Sequence, residues 1–121
     1  MDDEPALQIF YDRALLSLGH EAQITGDGTQ AEEAFRCAID SGESFDLAIL
    51  DLTVPGAMGG KETLARLRSI NPDILAIVAS GYSNDPDMAD YEQAGFQGAL
   101  KKPFTVDDLG AVLDNVLKLR D

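Results

Sequence analysis

The sequence is poor in cysteine, histidine, tryptophan and positive charge. It holds one cysteine, one histidine and no tryptophan in 121 residues. A single thiol excludes an internal disulfide, and neither Cys37 nor His20 has the neighbouring ligands that a structural zinc site requires. We expect Cys37 to be a small buried or half-buried residue of a helix rather than a catalytic thiol, and His20 to lie in a turn.

Positive charge is scarce, with 9 basic residues against 22 acidic ones and a net charge of −13. Binding to a nucleic-acid backbone requires clustered Lys and Arg, so we expect no direct contact with nucleic acid. The acidic excess suits a protein that binds cations or a basic partner, although surface acid also serves solubility.

Long apolar runs are also lacking. No stretch approaches the ~20 apolar residues of a membrane span, and the opening residues MDDEP lack the basic and apolar regions of a secretory signal. Hydrophobic content of 45% and charged content of 26% fit an ordinary globular domain. We therefore predict one domain, residues 1–121, in a cytoplasmic protein without membrane attachment.

Helical and strand patterns alternate along the chain. Apolar residues at three- and four-residue steps predict helices, and continuous apolar runs predict buried strands. This alternation indicates βα units and a mostly parallel sheet with helices on both faces, an α/β class. Thr29 and Glu32 have the spacing of a capping box. The predicted helices are 7–18, 31–39, 64–70, 86–94 and 105–117, and the predicted strands are 22–25, 47–51, 74–79 and 98–101.

Polar residues follow the predicted strands. Asp51 ends an apolar run, Ser80 and Lys102 each follow another, and Asp2 and Asp3 precede the first helix. Ligands of an open parallel sheet bind at the carboxyl ends of its strands, so these groups are expected at one edge. Each group alone has a plainer interpretation. The acids could form a solvated, helix-capping terminus, the serine a turn hydroxyl and the lysine a surface base.

Together, these motifs resemble the receiver domain of two-component response regulators. DLTVP at 51–55, SG at 80–81 and KPF at 102–104 follow DDEP at 2–5 in the family's order and at similar separations. The resemblance covers essentially the whole chain, and PGAMGGKETL and SGYSNDPDMADY are most similar to receivers of hybrid sensor histidine kinases. It implies a doubly wound, flavodoxin-like (βα)5 fold with strand order 2-1-3-4-5.

The resemblance implies a phosphoacceptor rather than an enzyme. Asp51 would accept a phosphoryl group from a histidine kinase in a Mg²⁺-dependent reaction, forming an acyl phosphate. Positive charge must offset the repulsion between anionic nucleophile and anionic donor, and Mg²⁺ prefers oxygen ligands. Asp3, Asp51 and the Thr53 backbone carbonyl would bind the ion directly, and Asp2 would bind it through water.

Further residues would transmit the signal. Lys102 would pair with Asp51 before phosphorylation and with the phosphoryl oxygens afterwards, and Ser80 would donate its hydroxyl to one of those oxygens. The Lys102–Pro103 bond is expected to be cis. Ala99 stands where many receivers have a rotating aromatic residue, so Tyr82 is expected to take some of that role.

The start of the chain departs from the family pattern. Receivers carry an apolar central strand before the acidic pair, whereas only Met1 precedes Asp2 here. We expect the first strand to be largely missing from this chain. Because its loss would leave backbone unpaired on two neighbours, our hypothesis is that the natural chain extends upstream or that a neighbouring chain supplies a strand. Equal stability of a chain lengthened by several apolar residues would contradict this.

The implied partner is a sensor histidine kinase or a phosphotransfer domain, and we expect a monomer or weak homodimer. The chain could be a single-domain regulator, a relay intermediate or part of a hybrid kinase. Three alternatives stay open. A haloacid-dehalogenase-like phosphatase is disfavoured because Thr53 stands where its second Asp is needed. A flavodoxin-like FMN carrier is disfavoured because no phosphate-binding loop follows a first strand. A receiver that binds partners without being phosphorylated is disfavoured because Asp3, Asp51, Ser80 and Lys102 are all present.

Overall fold

Residues 1–81 and 85–120, without the Arg120 side chain, are described by the computed structural model of the protein. Three parallel strands form a sheet in these residues, in the order β1-β2-β3. No helix of this part is long and apolar enough to cross a membrane. The elements are α1 Pro5–Ser17, α2 Gly28–Asp40, β1 Leu47–Asp51, α3 Gly60–Ile70, β2 Leu75–Ser80, α4 Pro86–Ala89, β3 Gly98–Lys101, α5 Val106–Leu117 and a 3-10 turn Lys118–Arg120.

The sheet brings the carboxyl ends of its strands to one edge. Asp51 at the end of β1 is in register with Ala79 of β2, and Ser80 of β2 is in register with Lys101 of β3. The central strand β2 is apolar and almost fully buried, as expected for a parallel strand with helices on both faces.

Two apolar clusters cover the two faces of the sheet. One lies between the sheet and helices α1 and α5, and the other lies between the sheet and helices α2 and α3. Burying one large aliphatic side chain contributes about 1.5–3 kcal/mol, so these clusters supply the main stabilisation. The first includes Tyr11, Leu15, Ile77, Ala79, Leu100, Leu109 and Leu113, and the second includes Phe35, Leu50, Leu64, Leu67, Val78 and Phe96.

The helix ends show which local signals were correctly interpreted. Thr105, the first residue of the predicted last helix, is the N-cap of α5 and forms a capping box with Asp108. The predicted capping box of Thr29 is wrong, because α2 begins earlier and its cap is Asp27, whose side chain accepts from the Gln30 N–H. Aspartate is as good an N-cap as threonine, so α2 does not need a cap from Thr29.

Three other expectations are corrected. The predicted strand 22–25 is not a strand in the described structure, because the neighbour with which it would pair is reduced to Met1 and Asp2. Helix α4 ends at Ala89 instead of continuing to residue 94. Cys37 is exposed, because it borders the open pocket beside α2 instead of packing into the core as Phe35 does.

Candidate functional site

The site is built around the carboxylate at the end of β1. Asp51 is only 5% exposed, although aspartate is seldom buried. The backbone on either side of it is fixed, because the Asp51 N–H donates to the Met1 carbonyl and the Leu52 N–H donates to the Ala79 carbonyl. The Thr53 N–H lies 3.4 Å from Asp51 Oδ1. The strand therefore ends with its carboxylate held in place.

The first residues of the chain bring a second carboxylate to the same point. The Met1 amino group donates to the Ile49 carbonyl at 2.8 Å, and the Asp2 N–H donates to the Thr25 carbonyl at 3.0 Å. Asp2 is 1% exposed, and its Oδ1 accepts the Glu4 N–H at the start of α1. The first two residues thus occupy a short piece of the place that a central strand would fill.

Lys102 joins the two buried carboxylates. Its Nζ lies 2.8 Å from Asp2 Oδ2 and 3.2 Å from Asp51 Oδ2. The Lys102 N–H donates to the Ser80 carbonyl, which fixes this residue just beyond β3, and the Lys102–Pro103 bond is cis, as the resemblance implied. Sequence reasoning missed the contact with Asp2, the shorter of the two, because spacing along the chain does not distinguish between adjacent carboxylates.

Burial and charge act in opposite directions on the ionisable groups. Burial raises the pKa of Asp51, the Lys102 ammonium opposes this rise, and the Asp2 charge adds to it. Burial alone would lower the pKa of Lys102, but its contacts with Asp2 and Asp51 raise it overall. Burial lowers the pKa of the Met1 amino group from 8.0 to about 6 despite the nearby carboxylates.

Three carboxylates are close enough to bind one cation. Asp2, Asp3 and Asp51 each offer an oxygen, and these oxygens lie within 4.8 Å of one another. Asp2 and Asp51 are buried and Asp3 is exposed, so the group opens to solvent on the Asp3 side. A hard divalent cation such as Mg²⁺ prefers oxygen ligands and keeps several waters, and this donor set fits it.

The other predicted site residues lie around this group. Ser80 ends β2 and is 1% exposed, and its strand neighbour Ala79 is in register with Asp51. Ala99 lies in β3, packed against the cluster on the α2 and α3 side of the sheet. Thr53 is exposed in the loop after β1. Tyr82 lies outside the residues that the structure describes.

The structure adds two close approaches that the sequence did not reveal. A Cβ on Gly60 would lie 2.7 Å from the Asp51 carbonyl oxygen, and one on Gly59 would lie 2.5 Å from that of Leu52. The glycine pair thus lets α3 begin directly against the backbone of the site, and the two adjacent glycines were the available signal. Tyr11 is also close, with a buried hydroxyl that has no hydrogen-bond partner among the described residues.

Comparison with known proteins gives a consistent result. Residues 1–114 match the family model described as the response regulator receiver domain. The chain is 30% identical over 121 residues to the sensor kinase CckA of Brucella abortus, covering 100% of this chain and 12% of that protein. It is 26% identical over 120 residues to sporulation initiation phosphotransferase F of Bacillus subtilis, covering 99% of this chain and 92% of that protein. It therefore spans only a small part of the first relative.

Solved structures show the same fold. The receiver domain of sensor histidine kinase PA1611 from Pseudomonas aeruginosa superimposes with a TM-score of 0.81 at 22% identity, covering 98% of this chain and 93% of that one. That protein is described with a magnesium ion coordinated in its active-site cleft. Chemotaxis protein CheY4 of Vibrio cholerae superimposes with a TM-score of 0.82 at 24% identity, covering 95% and 92%. The predicted flavodoxin-like α/β fold is thus confirmed.

Proposed function

The chain belongs to the response regulator receiver domain family, and from this premise we propose that Asp51 is the residue that accepts the phosphoryl group. Receiver domains are phosphoacceptor signalling domains rather than enzymes in themselves, and their phosphorylation depends on Mg²⁺. The observation that carries the assignment is the buried Asp51 carboxylate at the end of β1, 3.2 Å from the Lys102 ammonium.

The transfer step follows from these groups. A carboxylate oxygen of Asp51 attacks the phosphorus of a phosphohistidine, and the new O–P bond forms as the N–P bond breaks. The electron pair stays on the imidazole nitrogen, which takes up a proton. Lys102 offsets part of the repulsion between the two anionic groups and pairs with the phosphoryl oxygens afterwards. It also opposes the rise in the pKa of Asp51 that burial causes, which favours the ionised nucleophile.

Receiver domains bind Mg²⁺ at their acidic site, and the oxygen donors of this chain fit that ion. Asp3, Asp51 and the Thr53 carbonyl would be direct ligands, and Asp2 would act through water. The contact of Asp2 with Lys102 supports this indirect role, because that carboxylate already has a cationic partner. When bound, the ion supplies positive charge beside Asp51 and the incoming phosphoryl oxygens.

Phosphorylation would be sensed at the ends of β2 and β3. The Ser80 hydroxyl would donate to a phosphoryl oxygen, and its movement would shift the loop that follows β2. Ala99 has no ring to rotate, and it packs in the same cluster as Met88 and Tyr91. Tyr82 would take some of the role that the aromatic residue has in other receivers.

Receiver domains take their phosphoryl group from histidine kinases or phosphotransfer proteins. We infer that residues 1–121 form one such domain, served by a sensor kinase or a phosphotransfer domain. It would act as a monomer or weak homodimer. Its net charge of −13 supports the absence of direct contact with nucleic acid. The chain is similar both to a protein of about its own length and to a much longer sensor kinase. It could therefore be a single-domain regulator or part of a hybrid kinase.

The phosphoacceptor is tested by weighing the intact protein after incubation with Mg²⁺ and phosphoramidate. We expect one phosphoryl group on the natural chain and none on Asp51→Asn. Asp73→Asn is the matched control, because Asp73 is an exposed carboxylate just before β2 and outside the site. A phosphoryl group that persists on Asp51→Asn would refute the assignment.

The metal ligands are tested separately by titrating Mg²⁺ into the unphosphorylated protein in a calorimeter. Asp3→Asn should weaken binding by about tenfold or more, because loss of an outer-shell partner alone usually costs about 10- to 100-fold and Asp3 would be a direct ligand. Asp12→Asn, an exposed carboxylate on α1, should leave it unchanged.

Steady release of phosphate from simple phosphate esters would instead support the phosphatase interpretation.

A further inference from the structure

Asp3 differs from the other two carboxylates of the acidic group in how its side chain is held. Asp2 and Asp51 both contact the Lys102 ammonium. The Asp3 side chain is exposed, and it forms no hydrogen bond or ion pair with any residue that the structure describes. The direction in which its carboxylate points therefore depends on the backbone that carries it.

The two peptide units on either side of Asp3 are each held by one hydrogen bond. The unit after it contains the Glu4 N–H, which donates to Asp2 Oδ1 at 3.0 Å. The unit before it contains the Asp2 carbonyl, which accepts from the side-chain Nε2 of Gln8 at 2.8 Å. Because a peptide unit is planar, fixing both units also sets the direction of the Cα–Cβ bond of Asp3.

Gln8 is well placed to hold the Asp2 carbonyl. Its own N–H donates to the Glu4 carbonyl at 3.0 Å, so its backbone belongs to the first turn of α1. Helical side chains point toward the N-terminal end of their helix, and the Gln8 amide therefore reaches back to residue 2. A carbonyl can only accept, so the NH₂ end of the side chain is the end that faces it. This contact closes a loop of residues 2–8 that contains Asp3.

The remaining contacts of Asp2 do not depend on Gln8. The Asp2 N–H donates to the Thr25 carbonyl at 3.0 Å, and its Oδ2 lies 2.8 Å from the Lys102 Nζ. Loss of the Gln8 amide would therefore free the peptide unit that leads to Asp3 and leave the Asp2 carboxylate bound to Lys102. The effect should fall on Asp3 rather than on the groups that react.

We propose that Gln8 is a positioning residue for the metal site and directs the Asp3 carboxylate toward the cation through the Asp2 carbonyl. This inference rests on the proposed function, in which Asp3 is a direct ligand of Mg²⁺. Gln8 would contact neither the cation nor the phosphoryl group. It would strengthen metal binding because a ligand that already has the required direction loses less conformational freedom when the ion binds.

Gln8→Met tests the contact, because methionine keeps the unbranched shape of glutamine and has no N–H to donate. Mg²⁺ is titrated into the unphosphorylated protein in a calorimeter at constant ionic strength. We expect Gln8→Met to bind Mg²⁺ about two- to tenfold more weakly, the effect of one ordinary hydrogen bond. Gln93→Met is the matched control and should bind as the natural chain does, since Gln93 is exposed in the turn that follows α4.

A double variant shows whether Gln8 acts through Asp3. In the Asp3→Asn background, Gln8→Met should weaken Mg²⁺ binding further by less than about twofold, because the ligand that Gln8 directs has already been lost. Phosphoryl incorporation from phosphoramidate gives a second measurement. In Gln8→Met alone, the Mg²⁺ concentration for half-maximal rate should rise with the dissociation constant, and the rate at saturating Mg²⁺ should stay within about twofold of the natural rate.

Three results would overturn the proposal. One is an unchanged Mg²⁺ affinity in Gln8→Met. Another is a loss of the same size in the Asp3→Asn background, because Gln8 would then act independently of Asp3. The third is an equal fall in the rate at saturating Mg²⁺, which would indicate a general distortion of the site. If the natural chain takes up no phosphoryl group, the proposed function fails, and the Mg²⁺ titrations still decide the role of Gln8.

Discussion

The two halves of β1 have the same kind of sequence and lie in different surroundings. Leu50 and Asp51 are almost completely buried, and the backbone beside them is paired on both sides. Leu47, Ala48 and Ile49 are only partly buried, because an open pocket of about 1270 Å³ lies beside them. An apolar run therefore predicts a strand, but its packing depends on neighbours from elsewhere in the chain.

The largest expected contrast is between two leucines of this strand. Leu50→Ala should lower the free energy of unfolding by about 2–5 kcal/mol, because Leu50 is 1% exposed and its removal leaves a cavity. Leu47→Ala should cost no more than about half as much, since its side chain already borders this open pocket. Urea denaturation measures both. Equal losses would show that Leu47 is packed as tightly as Leu50 in solution.

The Met1 amino group marks the boundary between the two halves and should make stability depend on pH. Its pKa is 8.0 in the unfolded chain and about 6 in the folded one, so the unfolded state binds more protons between these values. The free energy of unfolding should rise from pH 6 to pH 8 by up to roughly 2.7 kcal/mol, at about 1.4 kcal/mol per unit. Urea titrations in metal-free buffer measure this rise, and enzymatic acetylation of Met1 should abolish it.

An added methyl group tests how closely the start of α3 approaches the end of β1. Gly60→Ala places a Cβ 2.7 Å from the Asp51 carbonyl oxygen and should cost about 1–3 kcal/mol. It should also slow phosphoryl incorporation, because α3 or Asp51 must move. Gly81→Ala is the matched control, with no atom within 4 Å of the added Cβ. Comparable losses in the two variants would refute the close approach.

The smallest expected effect is a gain in stability on removing the nucleophile. The pKa of Asp51 is raised in the folded state, so its ionised form is disfavoured there and the penalty grows as pH rises above its usual value. Asp51→Asn should therefore be more stable than the natural chain at pH 7 without metal, and the two should converge toward pH 4. Lys102 keeps Asp2 as a partner in this variant. A less stable Asn variant at pH 7 would contradict the assignment of burial as the dominant cause.

Features that depend on local sequence were predictable. The apolar periodicity of α1, α2, α3 and α5 and the runs of β2 and β3 arise within one segment, and each is found close to its predicted place. The edge that gathers Asp51, Ser80 and Lys102 was also predictable, because parallel strands align their carboxyl ends.

Features that depend on distant partners were not predictable. Residues 22–25 have a strand-like sequence, but a strand exists only with a neighbour. Among the residues that the structure describes, only Asp2 forms a backbone hydrogen bond with this segment. The exposure of Cys37 depends on the open pocket beside α2 that it borders. The contact of Lys102 with Asp2 depends on where the chain enters the sheet.

The position of Met1 and Asp2 has a thermodynamic consequence. Met1 pairs with the backbone of β1, and the next residue, Asp2, carries a carboxylate of the acidic site. Pairing of Met1 with β1 therefore removes part of the entropic cost of assembling the acidic site, so this pairing and the binding of Mg²⁺ should be positively coupled. Linkage then requires reciprocity, and Mg²⁺ must stabilise the pairing of Met1 with β1 by the same free energy by which this pairing strengthens Mg²⁺ binding.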